Sequence, residues 1–343
     1  MTGPLLSVFM PTYNGALYVR EAVESVIHNG FPDFELVVLD DGSTDETVRI
    51  VEAIRHPAVR LLRNPANLGV VETRRRAVPL LRGRYVAMLD QDDIAISGRF
   101  DAQVQRLEMA DGPDIIGGAI ENFGDMDGMK AYYTSHAEVC ASLLFNTSIL
   151  ISAACMKLSP LQNGTINYSI EAGPAADYAL WVDAMLSGLR LENLATVVTR
   201  YRRHAASMTR TGLPEMLACA MKVRERVANA YFPSFEAGER AALVGALSGW
   251  FATMQRWRDG VCALAHASIQ AGEIPGIDTA LMARLLSGRA LRFIEPAVTD
   301  GVVGYDLLEE MSERNPYFEQ WRAMAGGEFD RQIMALFSRP DHL

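Results

Sequence analysis

The chain reads as an α/β protein: an N-terminal Rossmann-like domain on a mixed, mostly parallel sheet, followed by an all-α C-terminal region. Three observations predict this. Short β-rich runs alternate with helical ones through the first half, the signature of a sheet covered by helices. Several of these runs, such as Leu36-Val37-Val38-Leu39, are continuously apolar, as strands buried on both faces are. From about Gly212 onward only helical periodicity remains. The boundary is expected near residues 210 to 214, giving a domain of residues 1–210 and a helical domain of 211–343.

In chain order, strands are expected at Leu5–Met10, Leu36–Asp40, Val59–Arg63 and Tyr85–Asp90. Most of them run into polar residues: Asn14-Gly15 after the first, Asp40-Asp41-Gly42-Ser43 after the second, Asp90-Gln91-Asp92-Asp93 after the fourth. In open α/β sheets the ligand crevice lies outside the carboxyl ends of the strands, so these clusters are expected to converge. Ser43 or Thr44 is expected to cap the next helix, with Asp45 and Glu46 in its first turn. Pro79 should kink or end the third helix. Further on, helices are expected at Met216–Ala230, Glu239–Trp257, Ala263–Ala271, Thr279–Leu286 and Tyr305–Arg314. Pro233, Pro275, Pro296 and Pro316 punctuate them into several short helices rather than one coiled coil.

Apolar residues make up 49% of the chain and charged residues 22%, a globular composition. A formal charge of −10 argues against a general nucleic-acid binder, which needs a surplus of lysine and arginine. Met1 leads into Leu5-Leu6-Ser7-Val8-Phe9-Met10 with no basic segment before it, which reads as a first strand and not a leader. The most apolar later stretch, Ala241 to Met254, is too short to span a bilayer. Cys140, Cys155, Cys219 and Cys262 are far apart and form no Cys-x-x-Cys pair, so neither a zinc site nor a disulfide framework is expected. A cytoplasmic location follows. Arg284, Arg289 and Arg292, set among Leu285, Leu286, Leu291, Phe293 and Ile294, leave open a peripheral contact with the inner membrane face, though a bundle helix with solvated arginines is the simpler reading. Self-association is a further role open to the helical half.

Asp90 and Asp92, two apart at a strand end with Asp93 following, form a compact carboxylate cluster suited to a hard divalent cation. Taken alone, an acidic solvated loop is the favoured explanation. The cluster has company, however. Pro11-Thr12-Tyr13-Asn14, the run Phe34 to Asp45 with its Asp40-Asp41-Gly42-Ser43, Arg63-Asn64 with Asn67-Leu68-Gly69, and Gly83 to Asp93 occur in an order and spacing that resembles the family-two inverting glycosyltransferases, whose catalytic domain has the A-type nucleotide-diphospho-sugar transferase fold. The resemblance runs from Leu6 to about Thr209.

It implies transfer of a sugar from a nucleotide-diphosphate donor to a hydroxyl of a glycan or lipid-linked acceptor, in polysaccharide or glycoconjugate synthesis. Pro11, Thr12, Tyr13, Asn14, Asp41, Arg74, Asp90 and Gln91 would bind the donor. Among them Tyr13 would lie near the base, and Asp41 would accept a hydrogen bond from a base N–H, which favours a UDP-sugar. Arg74 would approach the diphosphate, although Glu72-Thr73 depart from the family's small residues there and Arg75 and Arg76 offer alternatives. Asp92 resembles the direct ligand of a Mn2+ or Mg2+ cofactor, Asp90 the residue that holds ribose or a water. His204, in Tyr201-Arg202-Arg203-His204-Ala205-Ala206-Ser207-Met208-Thr209, resembles a residue that completes the metal or diphosphate site. Asp177, in Ala175-Ala176-Asp177-Tyr178-Ala179-Leu180-Trp181, stands where the family carries its catalytic base.

Ala176 replaces the glutamate usual before that base, and a helix cap is the competing reading for Asp177. A protein that keeps the fold and binds the nucleotide sugar without transferring it is therefore the alternative function. A dinucleotide-dependent oxidoreductase is disfavoured, since Pro-Thr-Tyr-Asn stands where the glycine fingerprint belongs. Serine-hydrolase and phosphate-loop readings fail for want of Gly-x-Ser-x-Gly and Gly-x4-Gly-Lys.

Overall fold

All seven residues of the first strand, β1 (Leu6–Thr12), are buried, because parallel neighbours on both edges and packing on both faces leave it no wet side. The structure, a computed structural model, describes residues 3–204, 213–249, 253–299, 302 and 305–324. The chain divides into two units, one of residues 1–139 and 146–220, the other of residues 140–145 and 221–343.

Nine strands of the first unit form one sheet among the described residues: β1, β2 (Phe34–Asp40), β3 (Val59–Arg63), β4 (Tyr85–Met88), β5 (Ile94–Ala95), β6 (Ile115–Gly124), β7 (Gly128–Lys130), β8 (Cys155–Lys157) and β9 (Leu191–Arg203). The order is β3-β2-β1-β4-β8-β6-β9-β5, with β7 on β6. The first four run parallel, β8 is antiparallel to β4 and β6, and β6 and β9 are parallel again. Helices α1 (Val19–Ile27), α2 (Thr47–Ala53), α3 (Val70–Ala77), α4 (Arg99–Glu108), α5 (His136–Ser142), α6 (Ser159–Gln162) and α7 (Ala176–Leu186) connect the strands or follow them. Leu6, Val8, Met10, Leu36, Val38, Tyr85 and Ala87 of the strands pack with Val19, Val23 and Val26 of α1 and Phe100 and Val104 of α4. Burying each of the larger of these side chains stabilises by about 1.5–3 kcal/mol.

Register places the site. Thr12 pairs with Asp40, so the loops after β1 and β2 leave the sheet side by side. Asn14, with φ 47, is the one described non-glycine residue in the left-handed region. That turn sends the Asn14 N–H to the Ser43 hydroxyl (2.9 Å), and the Asn14 amide oxygen accepts from the Thr44 N–H (2.9 Å). Ser43 and Thr44 are thereby spent on joining two loops and do not cap α2. The helix begins later, at Thr47, whose N–H donates to the Asp45 carboxylate at 3.0 Å. Pro79 acts as expected: α3 ends at Ala77 and tightens into a 3-10 turn over Val78–Leu80.

The second unit is helical: α8 (Leu213–Tyr231, which enters it at Met221), α9 (Ala237–Ser248), α10 (Met254–Gln270), α11 (Thr279–Thr299), α12 (Tyr305–Arg314) and α13 (Pro316–Met324). The single helix expected over Glu239–Trp257 is two, because Gly249 takes a left-handed φ of 73 and ends α9. Conversely α10 continues through the separate helix expected at Ala263–Ala271. Pro296 fails to end its helix. It sits in the last turn of α11, where it removes one N–H, while Leu286, Ala290 and Ile294 keep the helix buried. No described helix is long and apolar enough to cross a membrane.

Candidate active site

The carboxyl ends of β1, β2 and β4 carry the polar clusters. Pro11 and Thr12 are buried inside β1, with the Thr12 hydroxyl 3.5 Å from Asp40. Tyr13, beyond the strand end, is 44% exposed, so its ring is available to a ligand. Its backbone is held by the Gln91 side chain, which accepts from the Tyr13 N–H at 3.0 Å and donates to the Tyr13 carbonyl at 3.0 Å. Gln91 thus acts on the loop at least as much as on any ligand.

Asp41 is buried, and its carboxylate is already well supplied with donors. Asn64 Nδ2 donates to one oxygen at 2.8 Å, the Gly69 N–H to the other at 2.8 Å, and the Leu68 N–H lies 3.0 and 3.1 Å from the two. Asn64 also donates to the Thr73 hydroxyl at 3.0 Å. Asn64 and the Asn67-Leu68-Gly69 segment, read together as one motif element in the sequence, fold around the Asp41 carboxylate.

Beyond β4, Arg74 Nη2 meets Asp90 Oδ1 at 3.2 Å, and the arginine is buried, with its Nε making no hydrogen bond. Of the three consecutive arginines, Arg74 is the one turned inward. Arg75 and Arg76 pair with Glu72 on the helix surface. The Asp90 N–H donates to the Ser152 hydroxyl at 3.1 Å. Burial raises the Asp90 carboxyl above its usual range; Arg74 opposes this, and Asp92 and Asp177 add to it. Asp93 is fully buried and accepts from the Arg202 N–H at 2.9 Å, while its second oxygen has no partner. Burial, with Asp92 and Asp90 beside it, pushes its carboxyl well above the ordinary value.

His204 Nε2 lies 2.8 Å from Asp92 Oδ2, which joins two sequence-predicted metal residues that are 112 positions apart. The ring is also 5.2 Å from that of Tyr18. Residues 205–209 of the same motif lie outside the described residues. Among the described residues no three His, Cys, Asp or Glu side chains stand together as a metal cluster. A two-residue site still fits a divalent cation in this setting. Two neighbouring ligands of an octahedral ion, each about 2.1 Å from it, stand about 3 Å apart, and such ions usually take one or two protein carboxylates and fill the rest with phosphate oxygens and water.

Asp177 opens α7, half-buried, with the Tyr178 N–H donating to it at 2.8 Å. Burial raises its carboxyl above the usual range, and the Arg74 guanidinium opposes the rise. Asp177 also adds to the raising of Asp90, so Asp177, Arg74 and Asp90 share one electrostatic environment. Beside them, buried Tyr168 feels Arg74, Asp90 and Asp177, and burial pushes its phenol up to about 12, which keeps it neutral.

The residues that support this arrangement were not singled out in the sequence. Arg99, buried on α4, donates to the carbonyls of Met88, Ser152 and Ala154 at 2.9, 2.9 and 3.3 Å and to the Thr199 hydroxyl at 2.9 Å, tying the ends of β4, β8 and β9 together. Burial lowers its guanidinium to about 10. Arg202 bonds Asp93 through its N–H and the Asp92 carbonyl through Nε (2.9 Å), and its guanidinium lies over Tyr18 and Phe123. Its place beside His204 was the only local signal. Ser152 and Tyr168 carried none, and Thr73 stood out only as a departure from the family's small residues.

A mixed sheet with strand order β3-β2-β1-β4-β8-β6-β9, with acidic residues gathered at the ends of β2 and β4, has the A-type fold found in glycosyltransferases. Residues 7–155, within the first unit, match the sequence profile of glycosyl transferase family 2. The chain is 25% identical over 214 residues to the UDP-Glc:alpha-D-GlcNAc-diphosphoundecaprenol beta-1,3-glucosyltransferase WfaP of Escherichia coli, which covers 62% of this chain and 83% of that one. Among solved structures it resembles residues 1–349 of S. aureus TarS in complex with UDP-GlcNAc, with a TM-score of 0.59 at 16% identity, covering 86% of this chain and 92% of that one. It also resembles the mannosyltransferase PcManGT of Pyrobaculum calidifontis in complex with GDP-Man and Mn2+, with a TM-score of 0.50 at 18% identity, covering 94% and 87%.

Proposed function

We propose that this glycosyltransferase moves a sugar from a UDP-sugar to a hydroxyl of a glycan or lipid-linked acceptor, with inversion, using Asp177 as the base. The observation that carries this reading is the ion pair of buried Arg74 with Asp90 at 3.2 Å, with Asp177 within electrostatic reach of both. In this reading Asp177 accepts the acceptor proton as the hydroxyl oxygen forms its bond to the anomeric carbon and the bond from that carbon to the diphosphate breaks. A carboxyl raised toward neutrality is a better base for that task than an ordinary one. The buried Arg74 presents its guanidinium to the diphosphate.

Asp92 and His204 would hold a divalent cation, Mn2+ or Mg2+. When bound, such an ion offsets the charge that gathers on the departing diphosphate. On the nucleotide side, Tyr13 offers an exposed ring for the base, Asn14 lies beside it, and Asp41, which also holds the Leu68-Gly69 loop, would accept a hydrogen bond from a uracil N–H. The donor of WfaP, named as UDP-Glc, and the UDP-GlcNAc held by TarS support uridine. The lipid-linked acceptor in the name of WfaP supports an acceptor of that kind and a role in polysaccharide or glycoconjugate synthesis.

The test is thermal unfolding of the purified chain with UDP, UDP-glucose, UDP-GlcNAc and GDP-mannose, each with and without Mn2+, followed by release of UDP from the donors. A ligand that binds only the folded state raises Tm. Manganese-dependent stabilisation by the uridine compounds, with UDP release, is expected. A chain that no nucleotide stabilises refutes the reading, and one that binds UDP but never releases it from any donor is a binding protein instead.

A further inference from the structure

On the half of the sheet away from the loops of β1 and β2, a second group of side chains gathers that none of the donor roles uses. Strand β6 lies between β7 and β9, and its register pairs Ile120 with Lys130, Asn122 with Tyr201 and Gly124 with Arg203. Residues 120, 122 and 124 alternate onto one face of the strand, so their partners Lys130, Tyr201 and Arg203 stand on that same face. The Lys130 ammonium lies 4.7 Å above the ring of Tyr132, and the Arg203 guanidinium 5.1 Å above that of Tyr201. Both tyrosines are half-buried against a small cluster of Ile120, Ala153 and Val198, which fixes the rings and so holds the cations over them.

The two cations are close enough to repel each other: loss of water around its ammonium and then the Arg203 charge hold Lys130 below the usual lysine range. Neither makes an ion pair with a carboxylate among the described residues, although Asp125 and Asp127 lie in the adjoining hairpin. Two polar atoms here lack partners although they are buried, Arg203 Nε and the Oδ1 of Asn122, a residue only 9% exposed. Like charges gathered with no ion pair of their own among the described residues are costly, and an anionic ligand relieves that cost. The group is also within electrostatic reach of the proposed base, since the charges of both Arg203 and Asp177 act on the Tyr132 phenol.

The geometry points to an anion subsite for the acceptor: Lys130 and Arg203 receive a phosphate or carboxylate on the acceptor sugar while its hydroxyl is presented to Asp177. This rests on the proposed transferase reading and narrows it to negatively charged acceptors. The donor's diphosphate is a poor alternative occupant, since the residues assigned to it, Arg74, Asp92 and His204, are not part of this group. Asn122 would add a hydrogen-bond acceptor for a sugar hydroxyl.

The test uses the full chain saturated with UDP and Mn2+, titrated with N-acetylglucosamine 1-phosphate, glucuronate and neutral N-acetylglucosamine. The wild type is expected to bind at least one anionic probe about tenfold or more tightly than the neutral sugar, the effect of one charge-assisted hydrogen bond. The phosphate and glucuronate arms decide which anion is preferred. In Lys130→Gln/Arg203→Gln that preference should disappear while UDP still raises Tm, and Arg203→Lys with Lys130 intact should restore part of it. Equal affinity for charged and neutral probes in the wild type, or a preference that survives in the double variant, overturns the subsite and leaves the transferase reading standing. Failure of UDP to bind at all removes both.

Discussion

Gln91 grips the backbone of Tyr13 from 78 positions away, accepting its N–H and donating to its carbonyl, both at 3.0 Å. The amide that opens the acidic motif after β4 is therefore what fixes the loop after β1. Gly15 completes the fit, because a β-carbon there would come within 2.1 Å of the Gln91 side-chain oxygen. The nucleotide loop and the acidic loop thus form one unit before any ligand arrives.

Gln91→Ala tests that coupling. Both backbone groups of Tyr13 can turn to water, so stability should fall by only about 1 kcal/mol. Binding must then reorder the loop, and UDP affinity measured by calorimetry should fall by about tenfold. Unchanged affinity would show that the loop holds its shape without the glutamine.

Asp41 makes the opposite case. Removing its carboxylate in Asp41→Ala leaves the N–H groups of Leu68 and Gly69 and the Asn64 amide without their acceptor at a buried position. A loss on the order of 3 kcal/mol is expected, from a cost of about 1–3 kcal/mol for each unmet buried group, partly relieved by water. Asp41→Asn, which keeps one acceptor oxygen, should lose less. Denaturant titration of the two variants gives the ranking, and equal stability of Asp41→Ala and wild type would contradict the clamp.

Asp177→Asn should bind UDP and Mn2+ as the wild type does and lose turnover by several orders of magnitude, because the acceptor proton has nowhere to go. The same substitution should slightly raise Tm near neutral pH. A carboxyl raised by burial is destabilising when ionised, and the amide carries no such penalty. Turnover that survives in the variant would remove Asp177 from the base role.

The pH dependence follows with a definite sign. The Asp177 carboxyl holds its proton more tightly in the folded chain than in the unfolded one. Between the ordinary aspartate value and its raised value the folded state carries more bound protons, so this group's penalty is full above the raised value and is relieved as pH falls through it. Activity runs the other way, since only the ionised form accepts a proton. The acid limb of kcat is expected to fall at a higher pH than an unperturbed aspartate, near 3.9, would give. A limb at or below that value would mean that another group limits the reaction.

How much of this was legible beforehand depends on range. Continuous apolar runs marked β1 to β4, and polar residues after them marked the edge where chemistry gathers, because burial and strand ends are properties of a few neighbouring residues. Pro79 ended its helix as read, whereas Pro296 did not, since a proline's local cost is outweighed when the rest of the helix is buried. Ser43 and Thr44 had cap chemistry in the sequence, but the left-handed turn at Asn14 claimed them first.

The sequence by itself determined the first four strands, their polar ends and the family resemblance of the first unit. Only the tertiary structure decided which partners the side chains meet: that Arg74 turns inward while Arg75 and Arg76 do not, that Asp41 holds a loop, that His204 meets Asp92, and that Lys130 and Arg203 collect on one face. The physical reason is that hydrogen-bond partners are chosen across strand register, Thr12 against Asp40 or Gly124 against Arg203, and no spacing along the chain encodes a contact made between strands.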